Sequence, residues 1–501
     1  MTLKLCRATA TAIVLGGPAL AAGSDVTIVL QTQPDQLDPC QATKSHVGKV
    51  IKQNVVETIT EIDPDDGTVM PRLATEWRQV DARTWRFVLR EGVTFHDGQP
   101  FDAAALKHSI ERVLDESLAC EIRTKYFPEG GLTVTPLGEY EVEISTEAPQ
   151  PILPKLLGTM VAMSPATPMG EYTRTPVGTG PYALQEWAPN ERIVLSRFDG
   201  YWGDEPAVTS ATYVWRSESA VRASMVDLGE ADIAPQIAVQ DATDPEMDYS
   251  YLNSETSRFR IDAMLPPLDD VRVRKALNLA TDREGMRGSI FGQDFIPSTH
   301  LMAPGNTGYN PEIALYEYDP EEARRLLDEA RADGVPVDTE IVAFGRYNLY
   351  PNAEEALQAQ QAMWNAVGLN VRLQMTEAAE WFELFLKPFA EDRGPSVIQG
   401  FHDNNNGDAV FTVFGKYHSD GPQSTIDDPR VDRLIEEASA ASGAERERLY
   451  QEMFRLIHDE IVPDVFLFHH VGYTRVHPRL DFTPSIATNS ELQLDQISFS
   501  E

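Results

Sequence analysis

WRFVLREGVTFHDGQPF, residues Trp85–Phe101, is the stretch that says most about how this chain folds. Its first half alternates, so that Trp85, Phe87 and Leu89 share one face, which is the period of a half-buried β-strand. Two turns at glycines follow, and Asp102 then has the side chain of a helix N-cap. The stretch therefore predicts a strand, two turns and a capped helix in succession.

The chain changes character at Leu265-Pro266-Pro267. Before this point strands dominate, and one helix is predicted over Val47–Thr60, whose apolar residues recur at helical spacing. After it, well-capped helices alternate with single strands, as in an α/β lobe. Beyond Gly472 the chain is strand-like again. The pattern predicts a second, α/β lobe and a C-terminal segment that returns to the first.

Length and charge exclude several classes of protein. A chain of 501 residues is too long for one ordinary domain and predicts two or three lobes. Its 78 acidic and 42 basic residues give a formal net charge of −36, which repels nucleic acid and anionic lipid surfaces. The acidic residues are spread along the chain, and this distribution favours solubility over one particular ligand.

The N-terminus has the pattern of a cleaved secretory signal over residues 1–21. Lys4 and Arg7 precede a mostly small and apolar run, Ala8–Leu20, and cleavage is predicted after Ala21 or one residue later. The run is shorter than the roughly 20 apolar residues of a transmembrane helix. Cys6 lies before the run, so we expect no lipid anchor. The mature protein is predicted to be exported and soluble.

Two cysteines, Cys40 and Cys120, remain after the signal. In an oxidising compartment they can form a disulfide, although the sequence leaves free thiols equally open. They lack a Cys-x-x-Cys spacing, so they are poor evidence for a metal or redox site.

Local catalytic motifs are missing from the sequence. There is no Gly-x-Ser-x-Gly, His-Glu-x-x-His or phosphate loop, and no cofactor is predicted. His469 and His470 are neighbours on a predicted strand, so their rings are expected on opposite faces rather than around one ion. Together with His402 and His418 they give only weak support to a metal chelate as the ligand.

A polar run, Gly400–Asp408, follows the apolar Val397-Ile398. Its asparagines and glycines tolerate left-handed backbone conformations, which favours a shaped loop over a continued strand. Aromatic, imidazole, carboxylate and amide groups at the end of a buried strand suit a binding site, and a solvated turn is the alternative.

Several of these stretches resemble one family. Trp85–Phe101, Gly178–Tyr182, Gly229–Asp232 and Leu268–Leu277 are similar, in this order, to the extracellular solute-binding proteins of family 5. These proteins serve ABC importers for peptides, nickel chelates, opines and some sugars. The resemblance covers essentially the whole mature chain, and it implies a binding protein that is not an enzyme. A secreted hydrolase is the alternative of a different class.

The resemblance implies a fold with defined lobes. It is the two-lobed α/β periplasmic binding protein fold (type II, cluster C), with an extra subdomain inserted in lobe I. Lobe I would hold residues 22–264 with the insertion at about 45–172, lobe II would hold 265–471, and 472–501 would return to lobe I. Such a protein is expected to act in the periplasm as a monomer that closes on its ligand and engages a membrane permease.

The resemblance also points to ligand-binding residues. In peptide-binding members an aspartate in a loop similar to Gly400–Asp408 pairs with the ligand ammonium, and here that position is taken by Asn404 or, with a shift of one residue, Asp403. Arg346 matches the arginine that holds the ligand carboxylate. A short peptide and a non-peptide solute such as an opine, a glycoside or another acid both stay open, and the asparagines favour the second. The full predicted set is Arg346, Trp381, Phe401, His402, Asp403, Asn404, Asn405, Asn406 and Asp408.

Overall fold

A computed structural model describes residues 24–64, 67–127, 131–404 and 406–500 of the chain. The predicted signal peptide and Asn405 lie outside the described residues.

The strands are mostly short, and two of them are much longer than the rest. Along the described chain they are β1 Asp25–Leu30, β2 Thr60–Ile62, β3 Val69–Pro71, β4 Ala74–Asp81, β5 Thr84–Leu89, β6 Leu132–Pro136, β7 Glu141–Thr146, β8 Tyr182–Ala188, β9 Arg192–Arg197, β10 Ser210–Trp215, β11 Ile233–Ala234, β12 Asp248–Ile261, β13 Ile296–Pro297, β14 Ile341–Arg346, β15 Val371–Thr376, β16 Ser396–Asp403, β17 Asp464–Val476, β18 Leu480–Asp481 and β19 Ser498–Phe499.

The three longest helices of the described residues lie in the second half of the chain. The α-helices are α1 Ser45–Ile51, α2 Ala103–Leu114, α3 Glu121–Tyr126, α4 Leu153–Leu157, α5 Ser219–Asp227, α6 Val271–Leu279, α7 Arg283–Met286, α8 Pro320–Ala332, α9 Ala353–Ala366, α10 Ala378–Phe385, α11 Val413–Tyr417, α12 Pro429–Ala440 and α13 Gly443–Leu456. A π-helical segment at Ile457–Ile461 extends α13. Short 3₁₀ turns lie at Pro39–Gln41, Ala409–Phe411, Ile486–Asn489 and Leu494–Gln496.

One large sheet runs through both lobes. Its order is β15-β14-β16-β12-β17-β11-β1-β10-β9-β8, and β13 pairs with β17 at the side. The long strands β12 and β17 lie antiparallel at its centre. We call the part around β1 and β8–β11 lobe I, and the part around β14–β16 lobe II. Strands β12 and β17 therefore connect the lobes.

Each lobe has its own apolar core. The lobe I core includes Val47, Phe87 and Leu106 together with Leu492 and Leu494 of the C-terminal segment. The lobe II core gathers residues from the helices on both sides of β14–β16, with Trp364 fully buried in it. A separate four-stranded sheet, β4-β5-β7-β6, lies in the N-terminal half, and Trp85–Phe101 begins on its strand β5.

Several local predictions are confirmed. Asp102 caps α2 by accepting hydrogen bonds from the Ala104 and Ala105 amides, both at 2.9 Å. The histidine pair on β17 does face two ways, since His469 Nδ1 bonds Thr256 Oγ1 at 2.8 Å while the His470 ring packs against other aromatic side chains. The sequence left Cys40 and Cys120 open between a disulfide and free thiols, and the structure joins them in a disulfide with their Cα atoms 4.9 Å apart.

Two local predictions are wrong. The helix predicted over Val47–Thr60 ends at Ile51, because Gln53 has a left-handed backbone (φ 60°). Asn54, next along the chain, then uses its side chain to bond the Leu492 carbonyl at 2.8 Å. A tertiary contact therefore replaces the continued helix.

The predicted loop from Gly400 starts too early. Strand β16 continues to Asp403, because β12 pairs with it residue by residue over this segment. Hydrogen bonds from a neighbouring strand outweigh the local preference of a polar run for a loop.

Candidate ligand-binding site between the lobes

Two carboxylates lie side by side where the central strands leave lobe II. Glu255 of β12 and Asp403, the last residue of β16, are directly paired in the antiparallel register. Side chains of directly opposed residues project from the same face of a sheet. Glu255 is 7% exposed, and Asp403 is half-buried beside it.

Glu255 is held in an environment that disfavours its charge. Burial first, and then the charge of Asp403, raise its pKa to about 7, although the nearby Lys49 and Arg346 oppose this rise. Its Oε1 accepts a hydrogen bond from Asn489 Nδ2 at 3.4 Å, and its Oε2 lies 3.9 Å from His470 Nδ1. Burial also lowers the pKa of His470, to about 3, so this ring is neutral.

Lobe I contributes a buried cation. Lys49 lies on α1, is 3% exposed, and donates a hydrogen bond from Nζ to Gln236 Oε1 at 3.1 Å. Gln236 in turn donates to Asn489 Oδ1, so an amide chain leads from Lys49 to Glu255. Burial lowers the pKa of Lys49 to about 8, against the attraction of Glu255 and Asp403.

Lobe II contributes a second cation. Arg346 is the last residue of β14, and its guanidinium lies 5.3 Å from the centre of the Trp381 ring. Burial lowers its pKa, and Glu255 opposes this effect. Its buried Nε has no hydrogen-bond partner among the described residues. Trp381 is fixed beneath it by a hydrogen bond to the Gln399 carbonyl at 2.9 Å and by stacking on Phe385.

Asn404 has a different environment from Asp403. Its side chain is 4% exposed, and Nδ2 is shared among the Ser254 carbonyl at 2.9 Å, the Leu301 carbonyl at 2.9 Å and Thr256 Oγ1 at 3.2 Å. The amide donors of Asn404 therefore hold the end of β16 against β12.

Asp408 joins an ion cluster that spans both lobes. Its carboxylate accepts from Arg446 Nη2 at 2.8 Å within lobe II, and it lies 3.4 Å from Lys155 Nζ of lobe I. It also accepts from the Val410 amide at 2.9 Å. All three charged side chains are at least nine-tenths buried. These contacts fix the loop and tie it to lobe I.

The remaining predicted residues lie around this region in separate positions. Phe401 is half-buried against the lobe II core. His402 is buried, with Nδ1 3.1 Å from Thr412 Oγ1. Asn406 lines a cavity of about 260 Å³ between the lobes, together with Gln53 and Gln493 of lobe I. A smaller cavity of about 40 Å³ is lined by Gln236, Glu255 and His470 and by the rings of Phe291 and Phe295.

Five residues of this site were not predicted from the sequence: Lys49, Gln236, Glu255, His470 and Asn489. Of these, His470 was considered only as a weak metal ligand. One signal was present for Glu255: the run Asn253–Arg258 is continuously polar within what proves to be a buried strand. Polar side chains in a central strand require partners, and such runs mark sites. Nothing local singles out Lys49 or Asn489, since the fold alone brings them to Glu255.

The described part of the chain has neither a metal-binding cluster nor a membrane-spanning helix. It holds no group of three or more His, Cys, Asp or Glu side chains arranged to bind a metal ion. Among the same residues, none of the helices combines the length and apolar character that a bilayer crossing requires.

Comparison with known families then decides the relationship. Residues 68–425, more than half of the chain, match the model for the middle part of the bacterial extracellular solute-binding proteins, family 5. The chain belongs to the family 5 solute-binding proteins. The two-lobed fold is that of this family.

Individual members of family 5 are similar over most of their length. The dipeptide-binding protein of Escherichia coli (strain K12) is 26% identical over 444 residues, covering 80% of this chain and 81% of that protein. The nickel-binding periplasmic protein of the same strain is 26% identical over 441 residues, covering 79% and 80%. A Helicobacter pylori periplasmic binding protein solved with the peptide STSA superposes with a TM-score of 0.81 at 20% identity, covering 96% and 98%.

Proposed function

We propose that this protein captures a short peptide or peptide-like zwitterion in the cleft between its lobes and delivers it to the permease of an ABC importer. One observation carries the proposal: the cleft sets the carboxylates Glu255 and Asp403 near the cations Lys49 and Arg346. A peptide has one ammonium and one carboxylate, so its charges can offset both halves of this cluster.

Within this proposal Asp403 takes the ligand ammonium and Arg346 takes the carboxylate. The donors of Asn404 are used within the protein, and its buried Oδ1 has no hydrogen-bond partner among the described residues. Asp403 is chosen over this neighbour because a carboxylate supplies the negative charge that offsets the desolvation of an ammonium. Trp381 would keep the Arg346 guanidinium in place by stacking.

The cellular setting belongs to the same proposal. The protein would be exported with cleavage after Ala21, act in the periplasm as a monomer, and bind no nucleic acid. It would carry out no chemical reaction, since relatives in this family are binding proteins. The lobe boundaries predicted at 264/265 and 471/472 and the inserted subdomain at about 45–172 remain proposals as well.

Thermal-shift screening tests the function. The purified protein is heated with dipeptides, longer peptides, opines and oligosaccharides, and a ligand of the folded state raises the melting temperature. We expect a rise of several degrees with a peptide and no turnover of it. Multiple turnover of any ester, peptide or glycoside would instead show a hydrolase.

A further inference from the structure

Lys49 is a buried charge whose pairing is incomplete. Its ammonium can donate three hydrogen bonds, and the one that the structure gives it goes to a neutral amide, Gln236 Oε1. No carboxylate of the described residues reaches salt-bridge distance of Lys49 Nζ, although Glu255 and Asp403 attract it from farther away. A buried ammonium without a close anion is costly, and an anionic group of a ligand would remove this cost.

Arg346 is in the same condition on the other side of the cleft. Its guanidinium stacks on Trp381, and the buried Nε has no hydrogen-bond partner among the described residues. Lys49 is connected to Glu255 through the amides of Gln236 and Asn489, and Arg346 ends β14, which pairs with the strand β16 that ends at Asp403. Lys49 comes from helix α1 of lobe I and Arg346 from strand β14 of lobe II.

We propose that Lys49 is a specificity-determining residue that binds the ligand carboxylate from lobe I, opposite Arg346, and thereby selects zwitterions over cations. This inference rests on the proposed function and adds to it the net charge of the preferred ligand. A ligand carboxylate between the lobes then meets two cations, Lys49 from α1 and Arg346 from β14. Without Lys49 it meets one, so a ligand that lacks the carboxylate is penalised less.

The position of Lys49 also gives the ligand a role in closure. An anion that contacts Lys49 and Arg346 together joins one side chain from each lobe, and such contacts exist only when the lobes are close. A ligand without the carboxylate loses them, so its binding stabilises the closed form less.

Matched peptide pairs test the inference. Dialanine, trialanine and tetraalanine are zwitterions, whereas their C-terminal amides have the same length and carry a single positive charge. Calorimetry gives the ratio of affinities, acid over amide, for the wild type, for Lys49→Met and for Lys107→Met. The control Lys107 lies on α2 with its side chain 43% exposed, and its replacement changes the net charge of the protein by the same amount.

We expect the wild type and Lys107→Met to prefer the acids and Lys49→Met to lose about 10- to 100-fold of that preference, the worth of one charged hydrogen bond. Amide affinity should hold or rise in Lys49→Met, which also shows that the variant is folded. If Lys49→Met binds the acids with an unchanged ratio of acid to amide affinity, the role of Lys49 is overturned while the proposed function stands. Failure of the wild type to bind any of the six peptides would overturn the proposed function together with it.

Discussion

Glu255 and Asp403 stand directly opposite one another on β12 and β16, so that two carboxylates share one face of the central sheet at the junction of the lobes. The pair concentrates negative charge where the cations of both lobes converge. Neither residue gains this role from its own segment, because the register between two strands far apart in sequence creates it.

The first prediction concerns Asp403. Asp403→Asn keeps the shape of the side chain and removes its charge, so we expect affinity for a dipeptide to fall about 10- to 100-fold. Calorimetry measures the loss. Asp328→Asn, an exposed change of the same charge on α8, should leave affinity unaltered. Equal losses for a peptide and for a neutral sugar would refute the assignment of Asp403 to the ammonium.

The second prediction concerns the pH dependence that Glu255 gives to stability. Its pKa rises from 4.5 in the unfolded chain to about 7 on burial, so the folded state binds the extra proton between these values. Stability is therefore lost as pH rises through this window. Glu255→Gln removes the loss and should stabilise the protein by about 3 kcal/mol at pH 8, the worth of a shift of this size.

Denaturant unfolding at a series of pH values measures this effect. The advantage of Glu255→Gln should shrink as pH falls from 8 toward 4.5, whereas Glu437→Gln, an exposed change on α12, should follow the wild type throughout. An advantage that stays constant with pH would show that the Glu255 carboxylate titrates normally.

The third prediction separates Asp408 from the ligand site. Asp408→Asn leaves the buried charges of Arg446 and Lys155 poorly paired, and we expect it to lower the unfolding free energy by about 3 kcal/mol. The ratio of the affinities for alanine peptides and for their C-terminal amides should stay at the wild-type value. A normal unfolding curve with an altered ratio would instead place Asp408 at the ligand, as the sequence resemblance predicted.

The fourth prediction concerns the disulfide between Cys40 and Cys120, which closes a loop with a sequence separation of 80. Replacing both cysteines by serine should lower the unfolding free energy by about 4.5 kcal/mol, the loop-closure value for this length. Unfolding with and without a reductant measures the effect. If reduction leaves the wild-type midpoint unchanged, the bond does not form in solution.

The sequence predicted the fold better than the site. Alternating strands, the Asp102 cap and the change at Pro266 depend on local patterns, and these patterns persist in the folded chain. The early start of the Gly400 loop was wrong because pairing with β12 extends the strand.

The site depends on distant partners instead. Arg346 and Asp403 were reached through resemblance, whereas Lys49 and Asn489 join Glu255 from opposite ends of the chain. No periodicity or spacing connects residues that meet only after the C-terminal segment has packed back onto lobe I.

Both charged ends of a peptide are expected to contact the cleft. Calorimetric titration of the wild-type protein with di- and trialanine tests it most directly, with N-acetylated and C-amidated forms of the same peptides as matched controls. We expect one bound peptide per protein and weaker binding when either end is blocked. Equal affinity for blocked and unblocked peptides, or no binding to any of them, would contradict it.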